Sequence, residues 1–306
     1  MARVLLLVNP AAARHDDLFL RAIRRYLLTS GWHVEVVETR AEGDAQVLAR
    51  QGVETGVDVV AVYGGDGTLM QTVPAIVGTS TPIALIPGGT GNLVAGNLRI
   101  PRDPMEAAKV ITHGEPRAID LGLLRLADRE RYFAVACGAG LDAEVMASTT
   151  AEAKRAFGVG AYAARIYQAL QELKGDHYRV TIDGDVIEMD AVTVIVANCG
   201  EFVPPFLKLG HGIMFDDGLL DVVLLHADGV LQGVSVLTRL LLGLTDSPGM
   251  RFARGEHIVV ESDPIRQVEL DGEPAGGDTP FTASIVPKAI EIMVPATRTA
   301  GTSIGG

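Results

Sequence analysis

Twice in the first hundred residues an apolar, β-branched run breaks off into glycines and resumes as a helical pattern. Val59-Val60-Ala61-Val62-Tyr63 leads into Gly64-Gly65-Asp66-Gly67-Thr68 and then a helical stretch over 69–77. Ile83-Ala84-Leu85-Ile86-Pro87 leads into Gly88-Gly89-Thr90-Gly91-Asn92 and then Leu93–Asn97. A strand that is apolar at every position must be covered on both faces, so such runs predict a parallel sheet with helices on both sides. Arg3–Val8 and His33–Glu38 read as further strands, and 17–28 and 104–112 as further helices. Glycine supplies 35 of the 306 residues without any tandem period. That excess marks places where backbone must turn tightly or come close to something.

Beyond about residue 120 the rhythm changes. Alternating strand patterns occupy 131–136, 178–182, 192–197, 219–225, 257–260, Gln267–Leu270 and 284–286. Four Asp-Gly pairs, Asp183-Gly184, Asp217-Gly218, Asp228-Gly229 and Asp271-Gly272, are hairpin signals. Two helical patterns interrupt, over 153–173 and 230–242. The sequence thus predicts an N-terminal parallel α/β domain over 1–122 and an antiparallel β-sandwich domain over 123–306. The last residues could pack back on the first domain, and the tail 300–306 is expected to fray.

Charge separates the two parts as well. The chain carries 26 basic and 38 acidic residues, for a net charge of -12. Residues 1–122 hold 11 and 13 of these, or -2, which leaves 15 and 25, or -10, for the remainder. No basic patch stands out, so a nucleic-acid partner is not expected. Cys137 and Cys199 lie far apart in apolar surroundings and read as small buried hydrophobes of a reduced compartment. The apolar run after Arg3 is too short for a signal peptide, and no stretch is long enough for a membrane span, so a cytoplasmic protein is expected.

At the two glycine junctions, exposed amides and the start of a helix favour phosphate oxygens, and Thr68 and Thr90 can add hydroxyls. Both junctions fall at carboxyl ends of parallel strands, where open sheets bind ligands. The plainer alternative is a pair of tight strand–helix turns. Neither is a P-loop, because the Gly-Lys-Ser/Thr ending is missing. No Gly-x-Gly-x-x-Gly follows the first strand, which ends in Asn9-Pro10.

In order along the chain, these features resemble the diacylglycerol kinase catalytic-domain family, which includes bacterial lipid kinases, sphingosine kinases and ceramide kinases. The likeness rests on Val8-Asn9-Pro10, Gly64 to Thr68, Pro87 to Asn92 and Ala118-Ile119-Asp120-Leu121-Gly122. It continues through Gly138-Ala139-Gly140-Leu141-Asp142-Ala143, Asp217-Gly218-Leu219-Leu220-Asp221-Val222 and Leu270-Asp271-Gly272-Glu273-Pro274. The Gly-Gly-Asp-Gly-Thr run by itself is shared with NAD kinases.

The resemblance implies ATP and Mg²⁺, with the active site in a cleft between the two domains. ATP would be held by Gly64, Gly65, Asp66, Gly67 and Thr68, with Gly88, Gly89, Thr90 and Asn92 from the second junction, and Asn9 and Thr39 nearby. Asp66 would help hold Mg²⁺ against the phosphates or brace the loop through backbone amides. Phosphorylating a hydroxyl needs a group to accept its proton, and the resemblance assigns that to Glu273, with Asp271 as helper or Mg²⁺ contact; the two roles could be reversed. It also implies a structural Mg²⁺ on the carbonyls of Met214 and Leu219 and the carboxylate of Asp217. Here the chain departs from its relatives, reading Leu209-Gly210-His211-Gly212-Ile213 where many have Ala-Pro-x-Ala. From their own sequence, both acidic pairs read equally as ordinary Asp-Gly turns.

The function so implied is an ATP- and Mg²⁺-dependent lipid kinase acting on diacylglycerol or a similar lipid hydroxyl, in transient contact with a membrane surface. The rivals are an NAD-kinase-like kinase of a soluble substrate and a catalytically silent nucleotide-binding regulator. A homodimer stays open. The apolar, proline-broken stretch 202–209 reads as a lipid-touching loop or as core, and the pattern over 230–242 as core. A chain at -12 should meet a membrane through apolar contact more than charge. Vesicle binding is therefore expected to change little between low and physiological salt. A strong loss over that range, in a sedimentation assay, would count against apolar contact.

Overall fold

The computed structural model describes residues 1–140, 175–203, 207–208, 212–227 and 249–296, with Gln232 and Arg239. The expected helix over 153–173, nearly all of that over 230–242, the stretches 204–206 and 209–211, Asp228-Gly229 and the tail lie outside these residues. The chain divides into two compact units, Met1–Ile119 with Ala289–Gly306, and Asp120–Lys288.

The first unit alternates strand and helix: β1 (Arg3–Val8), α1 (Asp17–Thr29), β2 (His33–Glu38), α2 (Asp44–Glu54), β3 (Val59–Gly64), α3 (Asp66–Ile76), β4 (Ile83–Pro87), α4 (Leu93–Asn97) and α5 (Pro104–His113). The strands pair in parallel in the order β2-β1-β3-β4. Every residue of β3 and β4 is buried, as is all of β1 after Arg3, whereas the edge strand β2 is partly exposed. Helix starts follow local chemistry. Asp16 accepts the Leu18 N–H ahead of α1, and Asp103 accepts those of Met105 and Glu106 with Pro104 opening α5. α1 packs against α5, and α2 against α3. After β2 the chain crosses β1 to build β3 on its other side. The order therefore reverses between β1 and β3, and the crevice at their carboxyl ends is where such sheets bind ligands.

β5 (Glu115–Arg125) leads into the second unit, which is antiparallel. Its strands are β6 (Glu130–Phe133), β7 (Ala136–Ala139), β8 (Asp176–Ile182), β9 (Asp185–Ala191), β10 (Thr193–Ala197), β11 (Glu201–Val203), β12 (Leu207–Lys208), β13 (Leu220–Leu225), β14 (Met250–Gly255), β15 (His257–Asp263), β16 (Gln267–Leu270), β17 (Glu273–Asp278) and β18 (Phe281–Val294). One layer runs β14-β13-β10-β7-β16-β17; the other holds β9, β8, β15 and the start of β18. Their inner faces share one core. Tyr178, Val180, Ile258, Val260 and Phe281 from one layer meet Val194, Val196, Val222, Leu224 and Val268 from the other. The β-sandwich expected from the alternating runs is present.

Several expectations need correcting. The run over 131–136 is not one strand: β6 pairs with β5, and after Ala134 and Val135 the chain passes to β7 in the opposite layer. Asp183-Gly184 and Asp271-Gly272 do close hairpins, with positive φ at all four residues. Asp217-Gly218 closes none and leads into β13. β5, β9, β11, β12, β14 and β17 are not among the expected strands; charge (β9, β14) or glycine and proline (β17) masks the alternation of three of them. The helix expected from Leu69 begins about one turn earlier, at Asp66.

Gly122 shows why one quoted glycine is needed. It pairs directly with Phe133, and a Cβ there would run into the fully buried Phe133 ring. Gly122→Ala is expected to lower the unfolding free energy by about 1–3 kcal/mol, measured by urea denaturation. Pairing it with Phe133→Leu should recover part of the loss, and wild-type stability in the single variant would refute the contact.

Candidate active site

With α3 starting at Asp66, only Gly65 separates β3 from its helix. The two glycine junctions lie against one another. A Cβ on Gly89 would stand 2.7 Å from the Gly65 Cα, and one on Gly65 would stand 3.2 Å from the Gly89 Cα. Gly88 donates its N–H to the Gly64 carbonyl at 2.8 Å. These glycines let backbone approach backbone, where the sequence suggested approach to a ligand.

Asp66 ties the junctions together. Its Oδ2 accepts the Leu93 N–H at 2.9 Å and its Oδ1 the Val94 N–H at 3.2 Å. Of the two roles open in the sequence, bracing through amides is the one the geometry displays. Burial raises the Asp66 carboxyl above its ordinary value of 3.8, with the amides pulling the other way. Asn9 joins the third strand end: its Nδ2 donates to Thr68 Oγ1 at 3.0 Å, its Oδ1 accepts the Ala11 N–H at 3.0 Å, and its own N–H donates to the Tyr63 carbonyl at 3.0 Å. Arg14 donates its N–H to the Gly88 carbonyl at 2.8 Å and accepts the Tyr63 hydroxyl at 3.1 Å. Thr39 follows β2 and donates its N–H to the Val8 carbonyl at 2.9 Å. Asn92, at φ 51°, closes the second junction on itself through the Gly89 N–H at 3.0 Å and the Gly89 carbonyl at 2.6 Å.

The amides left for an anion are unequally divided. In the second junction Gly88, Gly89, Leu93 and Val94 donate to protein oxygens, while Thr90 and Gly91 between them are exposed. The first turn of α3 has no acceptors inside its own helix, and Gly67 there is exposed. Behind it lies only a small recess, lined by apolar Val62, Leu69, Leu85 and Ala95 as well as Gly64, Gly65, Asp66, Pro87 and Asn92, with room for about one water. It is the exposed first turn of α3, not this recess, that suits a phosphate group.

In the second unit Asp271 occupies the hairpin corner at φ 50°. Its Oδ1 accepts the N–H groups of Val135 at 2.8 Å and Ala136 at 3.0 Å, and its Oδ2 that of Ala134 at 3.2 Å. Asp271 thereby fixes the segment where the chain changes layers. Its charge and, above all, burial push the Cys137 thiol well up. Glu273, two residues on at the start of β17, is exposed. Sequence reasoning missed Asn198, which is fully buried and donates Nδ2 to the carbonyls of Asp120 at 2.9 Å and Ala134 at 3.1 Å. A lone polar residue closing an apolar strand was its only signal.

The turn over 214–219 is held from two sides. Asp120 is buried; its Oδ2 accepts the Gly218 N–H at 2.8 Å, its Oδ1 the Lys288 N–H at 2.7 Å, and its own N–H donates to the Phe215 carbonyl at 2.6 Å. Asp217 Oδ1 accepts the Leu219 N–H at 3.2 Å, and its Oδ2 takes Arg254 Nη2 at 3.1 Å. Arg254 also forks onto Asp221, at 2.7 Å from Nε and 3.1 Å from Nη2, and donates to the Gly212 carbonyl at 2.9 Å. Met214 is exposed. The Asp217 carboxylate is thus taken by an amide and a guanidinium where the resemblance implies a metal. Among the described residues no three His, Cys, Asp or Glu side chains gather to hold a metal ion. Arg254 was invisible in the sequence because β14 was, and only the Asp221–Arg254 strand pairing brings the two together.

Comparison with known proteins places both units. Residues 3–124 match the model of the diacylglycerol kinase catalytic domain, and residues 135–294 that of the YegS C-terminal NAD kinase beta sandwich-like domain. A diacylglycerol kinase of Staphylococcus saprophyticus is 26% identical over 299 residues, covering 96% of this chain and 95% of its own. An uncharacterised Synechocystis protein is 29% identical over 95% of this chain and 70% of its own. The crystal structure of a diacylglycerol kinase from Bacillus anthracis superposes with a TM-score of 0.76 at 25% identity, covering 95% and 96% of the two chains.

The Asp66 brace makes two measurable claims. Asp66→Ala leaves two amides without their acceptor and should cost about 1–3 kcal/mol of stability. Since burial raises the folded-state pKa, the proton is held more tightly folded than unfolded. The stability this titration contributes is full below the unfolded value and is lost as pH rises through the folded one. Urea unfolding of wild type and Asp66→Ala across that window should show their difference growing as pH falls. Growth with rising pH would mean that the amides outweigh burial.

Proposed function

The chain belongs to the diacylglycerol kinase catalytic-domain family, completed by a YegS-type C-terminal domain, and from that premise we propose that it transfers the γ-phosphate of ATP to a lipid hydroxyl, diacylglycerol first. The observation that carries the assignment of roles is the contrast between Asp271 and Glu273. Three amides fill the Asp271 carboxylate, whereas Glu273 is exposed on the neighbouring strand. A general base needs a carboxylate that can reach the proton it takes. Glu273 is assigned that part, and Asp271 positions the hairpin on which it stands.

In this reading the α3 amides, Thr68 and Thr90 receive the nucleotide phosphates, with Asn9 fixing Thr68 beside them. Asp66 keeps the two junctions together and does not touch phosphate, which its charge would repel. A chain at -12 cannot neutralise a polyphosphate by net charge, so the nucleotide is expected to arrive with Mg²⁺, which supplies that countercharge. The acceptor is met at a membrane surface. Among the described residues no helix is long and apolar enough to cross a membrane.

The first test is transfer of labelled γ-phosphate from ATP, with Mg²⁺, into lipids dispersed in detergent, with organic and aqueous phases counted separately. Label in the organic phase supports the reading, and label confined to the aqueous phase moves it to a soluble acceptor. Glu273→Gln should then lower kcat by about 10²–10⁴-fold with unchanged urea stability and nucleotide affinity. Asp271→Asn should lose stability and activity together. Activity within about tenfold of wild type in Glu273→Gln would remove it as the base.

A further inference from the structure

Arg254 gathers more of the turn before β13 than a surface ion pair requires. One guanidinium reaches Asp217 Oδ2 at 3.1 Å, Asp221 through two bonds of 2.7 and 3.1 Å, and the Gly212 carbonyl at 2.9 Å. The acidic side chains are largely buried, at 15% and 10% exposed, and Arg254 reaches them from a half-open position at 42%. Burial raises the Asp221 carboxyl while Arg254 draws it back down, and Asp221 in turn raises the guanidinium. Two desolvated carboxylates this close need a counter-charge, and this one is covalently part of the chain.

A hard divalent cation has different needs. It takes six or more oxygens at about 2.0–2.6 Å, several from one loop. Here one Asp217 oxygen accepts an amide and the other a guanidinium, and the Phe215 carbonyl accepts the Asp120 N–H. Asp120 presents both its oxygens to the amides of Gly218 and Lys288. An ion seated on Asp217 would share that carboxylate with a full positive charge, and the two would repel. Arg254 does by hydrogen bonds what a metal would do by coordination.

We propose that Arg254 is the resident cation of the 212–221 turn, and that the turn is set without a structural metal ion. The inference rests on this geometry and stands apart from the kinase assignment, including any Mg²⁺ that accompanies a nucleotide. It also gives a reason for one residue of the departing stretch 209–213. Gly212, within that stretch, offers Arg254 its carbonyl at a φ of 88°.

The test is thermal unfolding of the full chain, without nucleotide, in EDTA and in Mg²⁺, for wild type and Arg254→Gln. The wild-type midpoint is expected to move by less than about 1 °C between the two conditions. Arg254→Gln should lose about 4 °C or more in EDTA, because two buried carboxylates are left unpaired. A wild-type midpoint that falls in EDTA and recovers in Mg²⁺ overturns the proposal, as does an Arg254→Gln variant as stable as wild type. Should that variant not fold, calorimetric titration of Mg²⁺ into wild type and Asp217→Asn decides. An ion whose binding vanishes in Asp217→Asn overturns the proposal; no binding, or binding that Asp217→Asn leaves intact, supports it.

Discussion

Carboxylates bonded to backbone amides hold this molecule's irregular parts in place. Asp66 takes the first amides of α4, Asp120 those of Gly218 and Lys288, Asp183 those of Glu256 and His257, and Asp271 three in a row at 134–136. Each bond joins segments remote in sequence at points where no strand ladder or helix could satisfy the donors. A charged acceptor makes stronger bonds to N–H groups than a neutral one and can serve several at once. The helices and sheets form through burial and local pattern; these carboxylates fix how loops leave them.

That division of labour decides which acidic residues are available for chemistry. An aspartate whose oxygens are taken up by backbone amides is committed to holding the loop it braces. Three of the aspartates within the family-like motifs are occupied in this way. In the proposed reading reactivity falls to Glu273, and anion binding to the helix start beside Asp66. Arg254 extends the principle to charge balance, answering two buried carboxylates from within the chain.

Much of the first unit was legible in the sequence. β1 and β2 begin and end where the apolar runs do, because strands covered on both faces, or bounded by clear turn residues, leave little room for shift. The second unit was legible as a class and not in its strand list. β17 reads as loop, since glycine and proline there satisfy a bulged edge pairing visible only in the folded ladder. At the site, the sequence offers the residue types, and only the folded chain shows their partners. Sequence could say that Gly65 and Gly89 admit close approach, but not that they approach each other. It could not separate Asp271 from Glu273, because the difference lies in three amides 135 to 137 positions away.

β18 has a consequence for how the chain comes to be folded at all. Its residue Ile292 pairs with Ile83, so the strand beside β4 is made about two hundred residues after β4 itself. Until then the nascent first unit carries β4 with one side of its ladder unfilled, an apolar edge of the kind that recruits other chains. Nearly two hundred residues must be synthesised while that edge waits, about ten seconds or more at ordinary translation speed. A shortened gene ending before Ala289 would make the exposure permanent. The first unit is thus begun long before the strand that completes its sheet, and its β4 edge stands open in the interval.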